Sequence, residues 1–256
     1  MPGESKREQM RYDEVILAVF SRLMERYGQG STRLEFDKGF LDRIANELGI
    51  RNIPDILYSY RSGRRAFPQP ILELGNWTVV GQGKGKYAFV KLEGRAEFDL
   101  PLDLEITRIP DATPDIVLRY AKGDEQSVLV QIRYNRLVDV FTGLTAYHLQ
   151  SHVRAYIEGL GQIEVDDLYL AVNTDGQWFC IPVEAKSPGP GEQLGRIQIS
   201  SMVAYAEQEF AGLPVRPIGV KMIEDGSIFF VEFSDSSDPS ELKTRFYKRY
   251  QLARDA

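Results

Sequence analysis

Gly161-Gln162-Ile163-Glu164-Val165-Asp166-Asp167-Leu168-Tyr169-Leu170-Ala171-Val172 and Gln177-Trp178-Phe179-Cys180-Ile181-Pro182-Val183-Glu184-Ala185-Lys186 are two largely apolar runs, with Thr174-Asp175-Gly176 between them. Two β-type runs joined by an Asp-Gly turn signal predict adjacent antiparallel strands. Side chains alternate faces along a strand, so Glu184 and Lys186 point one way and Ala185 the other. On the first strand Glu164, Asp166, Leu168, Leu170 and Val172 share one face, whereas Asp167, Tyr169 and Ala171 share the opposite face. A carboxylate and an ammonium at one strand end, beside a carboxylate on the neighbouring strand, can hold a divalent cation and a water next to a phosphate. That is the chemistry of a metal-dependent phosphodiesterase.

The acid-x-Lys tripeptide alone is weak, since it occurs at Glu4-Ser5-Lys6, Glu184-Ala185-Lys186 and Glu241-Leu242-Lys243. The first lies in a polar tail and the third in a highly charged stretch. Only the second ends an apolar strand that follows an acid-bearing one.

At 256 residues and 43% hydrophobic content the chain can bury a sizeable core in one large or two small domains. A formal charge of −6 gives no overall basic footprint, so nucleic-acid binding would need a local patch. The single cysteine, Cys180, excludes an internal disulfide and fits a reducing, cytoplasmic compartment. Its place in a strand predicts a buried thiol rather than a nucleophile. No apolar run is long enough to span a bilayer, and no secretory signal opens the chain.

Apolar spacing predicts a helix over residues 12–27 and a second over 38–48, stopped by Gly49; Pro54 opens a third over 54–60. Together they suggest a helical module over 1–70, possible for DNA binding, followed by a β-rich lead-in and a core within 71–256. Strands are expected at 77–80 and 87–90 around Gly81-Gln82-Gly83-Lys84-Gly85-Lys86. That glycine-rich loop joins two strands rather than opening a helix, so it reads as a hairpin and not as a phosphate loop. Residues 100–113 read as irregular, 115–120 and 127–133 as strands, and 136–158 as helical with a break near Gly143. After a loop at 187–191 come a helix over 193–210, strands at 215–222 and 227–233, and a final helix over 239–252.

The order helix, strand with Glu164-Val165-Asp166, turn, strand with Glu184-Ala185-Lys186, helix, strand resembles the PD-(D/E)XK nuclease superfamily across residues 136–233. The stretch from Arg133-Tyr134-Asn135-Arg136 through Lys186 is similar to uncharacterised bacterial members. Val165 stands where the motif has proline, and the first 110 residues lie outside the match. The resemblance implies an α/β, restriction-endonuclease-like mixed sheet flanked by helices, with its core at about 115–233. It implies that Asp166 and Glu184 hold Mg²⁺, for which Mn²⁺ substitutes, and that Lys186 orients the attacking water and offsets phosphoryl charge. Gln198, at the start of the following helix, is a further candidate. The implied activity is Mg²⁺-dependent endonucleolytic cleavage of double-stranded DNA, of restriction type; a junction-resolvase-like repair nuclease and an inactive nucleic-acid-binding module are the alternatives. Cutting both strands needs two sites, which suggests a homodimer.

Asp167 competes with Asp166 for the ligand position, and the aliphatic Leu168 two residues on favours Asp166. A literal Pro114-Asp115 with Gln131-Ile132-Arg133 is a poor alternative site, because Gln131 brings no negative charge to a hard cation. His148 and His152 lie four apart, a spacing that on a helix can chelate a transition metal, but no third ligand is near. DNA contacts are expected from Arg61, Arg64, Arg65, Lys84, Lys86, Arg133 and Arg136. No nucleophile with an adjacent base is apparent, which disfavours covalent catalysis.

Overall fold

The computed structural model describes residues 6–50, 56–57, 59–60, 65–101, 103–121, 123–158, 160–189 and 192–254. Packing divides the chain into one unit made of Met1–Ala96 with Tyr156–Gly161, and another made of Glu97–Ala155 with Gln162–Ala256. The division falls beyond the expected boundary at 70, because the first strands of the lead-in pack with the N-terminal helices.

The first unit opens with helix α1 (Lys6–Tyr27), whose Val15, Ile16, Val19, Phe20 and Leu23 are buried at the three- and four-residue spacing of one helix face. Strand β1 (Arg33–Asp37) follows, then α2 (Lys38–Glu47), capped by the Asp37 side chain accepting from Phe40 N, and the short α3 (Gln69–Leu72). Gly49 takes φ +69 just past α2, the left-handed turn that suits glycine. β2 (Asn76–Gly81) and β3 (Lys86–Leu92) form the hairpin expected from the glycine-rich loop, and β1 pairs antiparallel with β3. The N-terminal helical segment does not stand alone. Its apolar faces close on a three-stranded sheet, with Phe20 edge-on to both Trp77 and Phe89 at 5.1 Å. The expected third helix lies partly outside the described residues; 56–57 and 59–60 are helical.

The second unit is a mixed α/β fold. Its strands are β4 (Ile106–Pro110), β5 (Thr145–Ile157), β6 (Gly161–Val172), β7 (Trp178–Lys186), β8 (Ile218–Met222), β9 (Ile228–Phe233) and β10 (Thr244–Ala253). They form one seven-stranded sheet in the order β4-β10-β9-β8-β7-β6-β5. β6 and β7 are antiparallel, with Asp167 opposite Val183, as the quoted stretch requires. β7 and β8 are parallel, and β8, β9 and β10 are successively antiparallel. Four helices join them: α4 (Asp115–Tyr120), α5 (Glu125–Tyr134), α6 (Leu137–Thr142) and α7 (Arg196–Glu209).

Five expectations are corrected here. Residues 115–120 and 127–133 are helical, not extended: Pro114 precedes α4, and the Asp124 carboxylate caps α5 by accepting from Ser127 N. Val128, Leu129 and Ile132 then form a helical stripe against the sheet, and their β-type residues pack as well from a helix as from a strand. The expected helix over 136–158 survives only as α6, ended by Gly143 at φ +69; β5 follows, so His148 and His152 lie on a strand. Residues 239–252 contribute β10 instead of a helix, paired with β9 on one side and parallel to β4 on the other. The irregular stretch 100–113 accordingly contains β4, an edge strand that tolerates Pro110.

The two sheet faces are covered differently. α5 and α6 bury Val128, Leu129, Ile132, Leu137, Val138 and Phe141 against Tyr169, Ala171, Ile181, Val183, Ala185 and Phe230. α7 buries Ile199, Met202, Val203 and Ala206. Full burial of each such large aliphatic side chain contributes about 1.5–3 kcal/mol. Clamped between helices, the β7 backbone holds whatever its side chains present at its end. Cys180 is fully buried in it, and burial pushes its thiol up to about 12, so it is no nucleophile.

Candidate active site

Asp166, Glu184, Lys186 and Gln198 meet at the end of β7. Lys186 Nζ donates to Glu184 Oε1 at 2.8 Å, and Gln198 Nε2 donates to the same oxygen at 2.6 Å. Asp166 Oδ2 accepts from the backbone N–H of Ala185 at 2.8 Å. Alternation explains the grouping: Ala185 turns its methyl into the α5/α6 core while its neighbours Glu184 and Lys186 turn to the α7 side. Gln198 arrives from the first turn of α7, which Gly195 opens. The parallel pair β7–β8 ends here, where open α/β sheets commonly receive ligands.

A fifth residue was not anticipated. Glu125, the first residue of α5, accepts from Lys186 Nζ at 3.2 Å. Its signal was Asp124-Glu125-Gln126-Ser127, a cap residue with an acid in the first turn, which the strand assignment for 127–133 concealed.

Three acids thus face the ammonium of Lys186. Burial, then repulsion from Asp166, raises Glu184 to about 8, although Lys186 works against the shift. Burial raises Asp166 to about 6, despite the hydrogen bond from Ala185 and the attraction of Lys186. Burial opposes the charge on Lys186, but Glu184, Glu125 and Asp166 outweigh it and hold its pKa above the ordinary lysine value. Crowded buried carboxyls with raised pKa values gain from added positive charge.

Asp167 lies on the opposite face and is wholly committed there. Arg133 grips it with Nε to Oδ2 at 2.9 Å and Nη2 to Oδ1 at 2.5 Å, Tyr169 Oη donates to Oδ2 at 3.1 Å, and His148 Nε2 lies 3.2 Å from Oδ1. Arg133 also donates to Ser151 Oγ at 2.7 Å. Asp167 has no place in the Glu184 cluster, and Arg133 is tied to it and to Ser151. His148 and His152 have separate partners, Asp167 and Glu164, so they do not chelate together. Asp115 and Gln131 both lie on helices, and Gln131 bonds back to the Ser127 carbonyl, so the alternative site does not form.

The other basic candidates are scattered. Arg136 is exposed and paired with Asp139 at 2.5 Å. Lys84 and Lys86 are exposed at the β2–β3 turn of the first unit. Arg65 is packed, its guanidinium 5.3 Å from the Tyr12 ring centre and 5.8 Å from that of Tyr60. Arg61 and Arg64 lie outside the described residues.

Among the described residues, no group of three or more His, Cys, Asp and Glu side chains is set to hold a metal ion. Mg²⁺ asks for less: it keeps several waters and is usually bound by one or two carboxylates together with substrate phosphate. The oxygen-only pair Asp166 and Glu184, crowded and short of positive charge, fits that requirement. No helix among the described residues is long and apolar enough to cross a membrane. No family model, curated protein or solved structure matches the chain.

Proposed function

We propose that this chain is a Mg²⁺-dependent DNA endonuclease of restriction type, acting as a homodimer on double-stranded DNA in the cytoplasm. The observation that carries the proposal is the meeting of Asp166, Glu184 and Lys186 at one strand end, with raised pKa values on both carboxyls. Structural ion pairs are normally satisfied one to one; here acid exceeds base in a buried place, which favours a cationic ligand and a functional role. The resemblance to PD-(D/E)XK nucleases supports the same assignment.

Asp166 and Glu184 would hold Mg²⁺, with Mn²⁺ able to replace it. The ion supplies positive charge against the phosphate and acidifies water for attack. Lys186 carries its ammonium to the same point, where it positions the attacking water and offsets charge gathering on the phosphoryl oxygens. Gln198 fixes the Glu184 carboxylate by its 2.6 Å hydrogen bond, so that the acid presents one orientation. Glu125 shares the Lys186 ammonium and keeps it aimed between two acids.

The test is to incubate the purified full chain with plasmid, phage and four-way-junction DNA, with and without Mg²⁺. Discrete Mg²⁺-dependent fragments from plasmid and phage DNA support restriction-type cleavage. Cutting confined to the junction assigns a resolvase-like nuclease, and binding without cutting assigns an inactive module.

A further inference from the structure

A second lysine faces this site. In the parallel register of β7 and β8, Lys221 stands directly opposite Lys186, as Gly219 stands opposite Glu184. Paired residues of neighbouring strands share a face, so Lys221 projects on the same side as Glu184 and Lys186. The segment leading into α7 covers this end. Leu194 is buried over Gly219, where an added Cβ would lie 2.6 Å from Leu194 Cδ1, and the Glu192 carbonyl accepts from Lys221 Nζ.

The two lysines differ in how their charge is met. Lys186 is held by the carboxylates of Glu184 and Glu125. Lys221 has a neutral carbonyl instead, and no carboxylate among the described residues forms an ion pair with it. Burial, partly offset by Glu192, together with the like charge of Lys186, draws its pKa below the ordinary lysine value. An ammonium drawn partly out of water, with the carboxylates of Glu192 and Glu224 acting on it but neither in ion-pair contact, gains from an anion that completes it. A phosphodiester entering this end meets crowded carboxyls, and the Lys186 ammonium is shared with Glu184 and Glu125.

We propose that Lys221 is a phosphate ligand of the site, binding a phosphodiester anion of the nucleic-acid strand at the ends of β7 and β8. The assignment rests on the nuclease function proposed above. Lys221 would exchange the Glu192 carbonyl for a charged oxygen and fix the strand's register, while Lys186 serves the cleaved bond.

The test uses the full chain and a fluorescein-labelled duplex oligonucleotide, with anisotropy titrations across a range of salt and steady-state cleavage in Mg²⁺. Three variants separate charge from packing: Lys221→Met, Lys221→Gln, which keeps an N–H donor, and Lys221→Arg, which keeps the charge. One lost phosphate contact flattens the slope of log K against log salt by about 0.9, so the affinity lost between about 50 and about 200 mM salt shrinks by about 3.5-fold. We expect that flattening and a raised KM for the Met and Gln variants, and restoration of both by Arg. A merely structural lysine would lower thermal stability without moving the slope. Reductive ¹³C-methylation supplies a readout on the wild-type sequence: the Lys221 signal, assigned by its loss in Lys221→Arg, should shift on adding the duplex. Wild-type cleavage with an unchanged slope and KM in the folded Met or Gln variant, or with an unmoved Lys221 signal, overturns the Lys221 assignment alone. A wild-type protein that neither binds nor cuts DNA overturns it together with the nuclease function.

Discussion

Asp166→Asn should stabilise the protein while removing its activity. The fold holds the Asp166 carboxyl at about 6 against an ordinary value of 3.8, chiefly because burial penalises its charge. For an acid raised in this way, the favourable contribution is complete below the unfolded-state value and is lost as pH rises through the folded value. A gap of about two pH units, at about 1.4 kcal/mol each, amounts to about 3 kcal/mol lost between about pH 4 and 7. Asparagine avoids that loss and keeps an oxygen to accept from Ala185 N, a bond of 2.8 Å in the wild type. In a chain of this size about 3 kcal/mol corresponds to a rise in Tm of about 6–12 °C. The assay is thermal unfolding of wild type and variant at pH 4, 6 and 8 in metal-free buffer, repeated with Mg²⁺. The curves should converge in acid and separate in favour of the variant at pH 8. Added Mg²⁺ should raise the Tm of the wild type, by about 2.7 kcal/mol of stabilisation at a hundred times its Kd, and leave the variant unmoved. A variant less stable than wild type at pH 8, or pH profiles that run parallel, would refute the claim that burial and not pairing dominates at Asp166.

Asp167→Asn should do the reverse, leaving the cleavage machinery in place but destabilising the fold by about 3 kcal/mol, because it breaks the pair between the fully buried Asp167 carboxylate and the half-buried Arg133 guanidinium; urea unfolding beside a cleavage assay at low temperature checks both halves. Gly219→Ala should cost about 1–3 kcal/mol through overpacking, since the new Cβ meets Leu194 Cδ1 at 2.6 Å and Phe233 Cε2 at 2.9 Å; an unaltered Tm would contradict it. Arg65→Ala should lower the Tm without changing the salt dependence of DNA binding, because Arg65 packs against Tyr12 and Tyr60.

The parts of the fold that declare themselves in sequence are those where one local signal dominates. The β6–β7 pair carries an Asp-Gly turn and period-two alternation, and α1 carries a three-and-four repeat over several turns. The turn at 224–226 likewise marks β8 and β9. Elsewhere tertiary context decides. Val128, Leu129 and Ile132 suit either a strand or a helix, and the Asp124 cap settles the choice by bonding Ser127 N. β10, Thr-Arg-Phe-Tyr-Lys-Arg-Tyr-Gln-Leu-Ala, is charged enough to resemble a solvated helix, yet it sits between β9 and β4, with only Tyr250 fully buried. At the site, alternation places Asp166 and Asp167 on opposite faces, and that separation was legible. Glu125 and Lys221 were not, because each reaches the site from an element whose position depends on the sheet order.

The most direct measurement is the rate of plasmid cleavage in Mg²⁺ by wild type, Glu184→Ala and Lys186→Ala, with DNA binding followed in parallel. Loss of the Glu184 carboxylate removes a metal ligand, and loss of Lys186 removes the charge beside it, whereas phosphate contacts elsewhere still hold the duplex. The expected result is Mg²⁺-dependent cutting by wild type, none by either variant, and largely intact binding by both. Cleavage by either variant at the wild-type rate would contradict the assignment of this site.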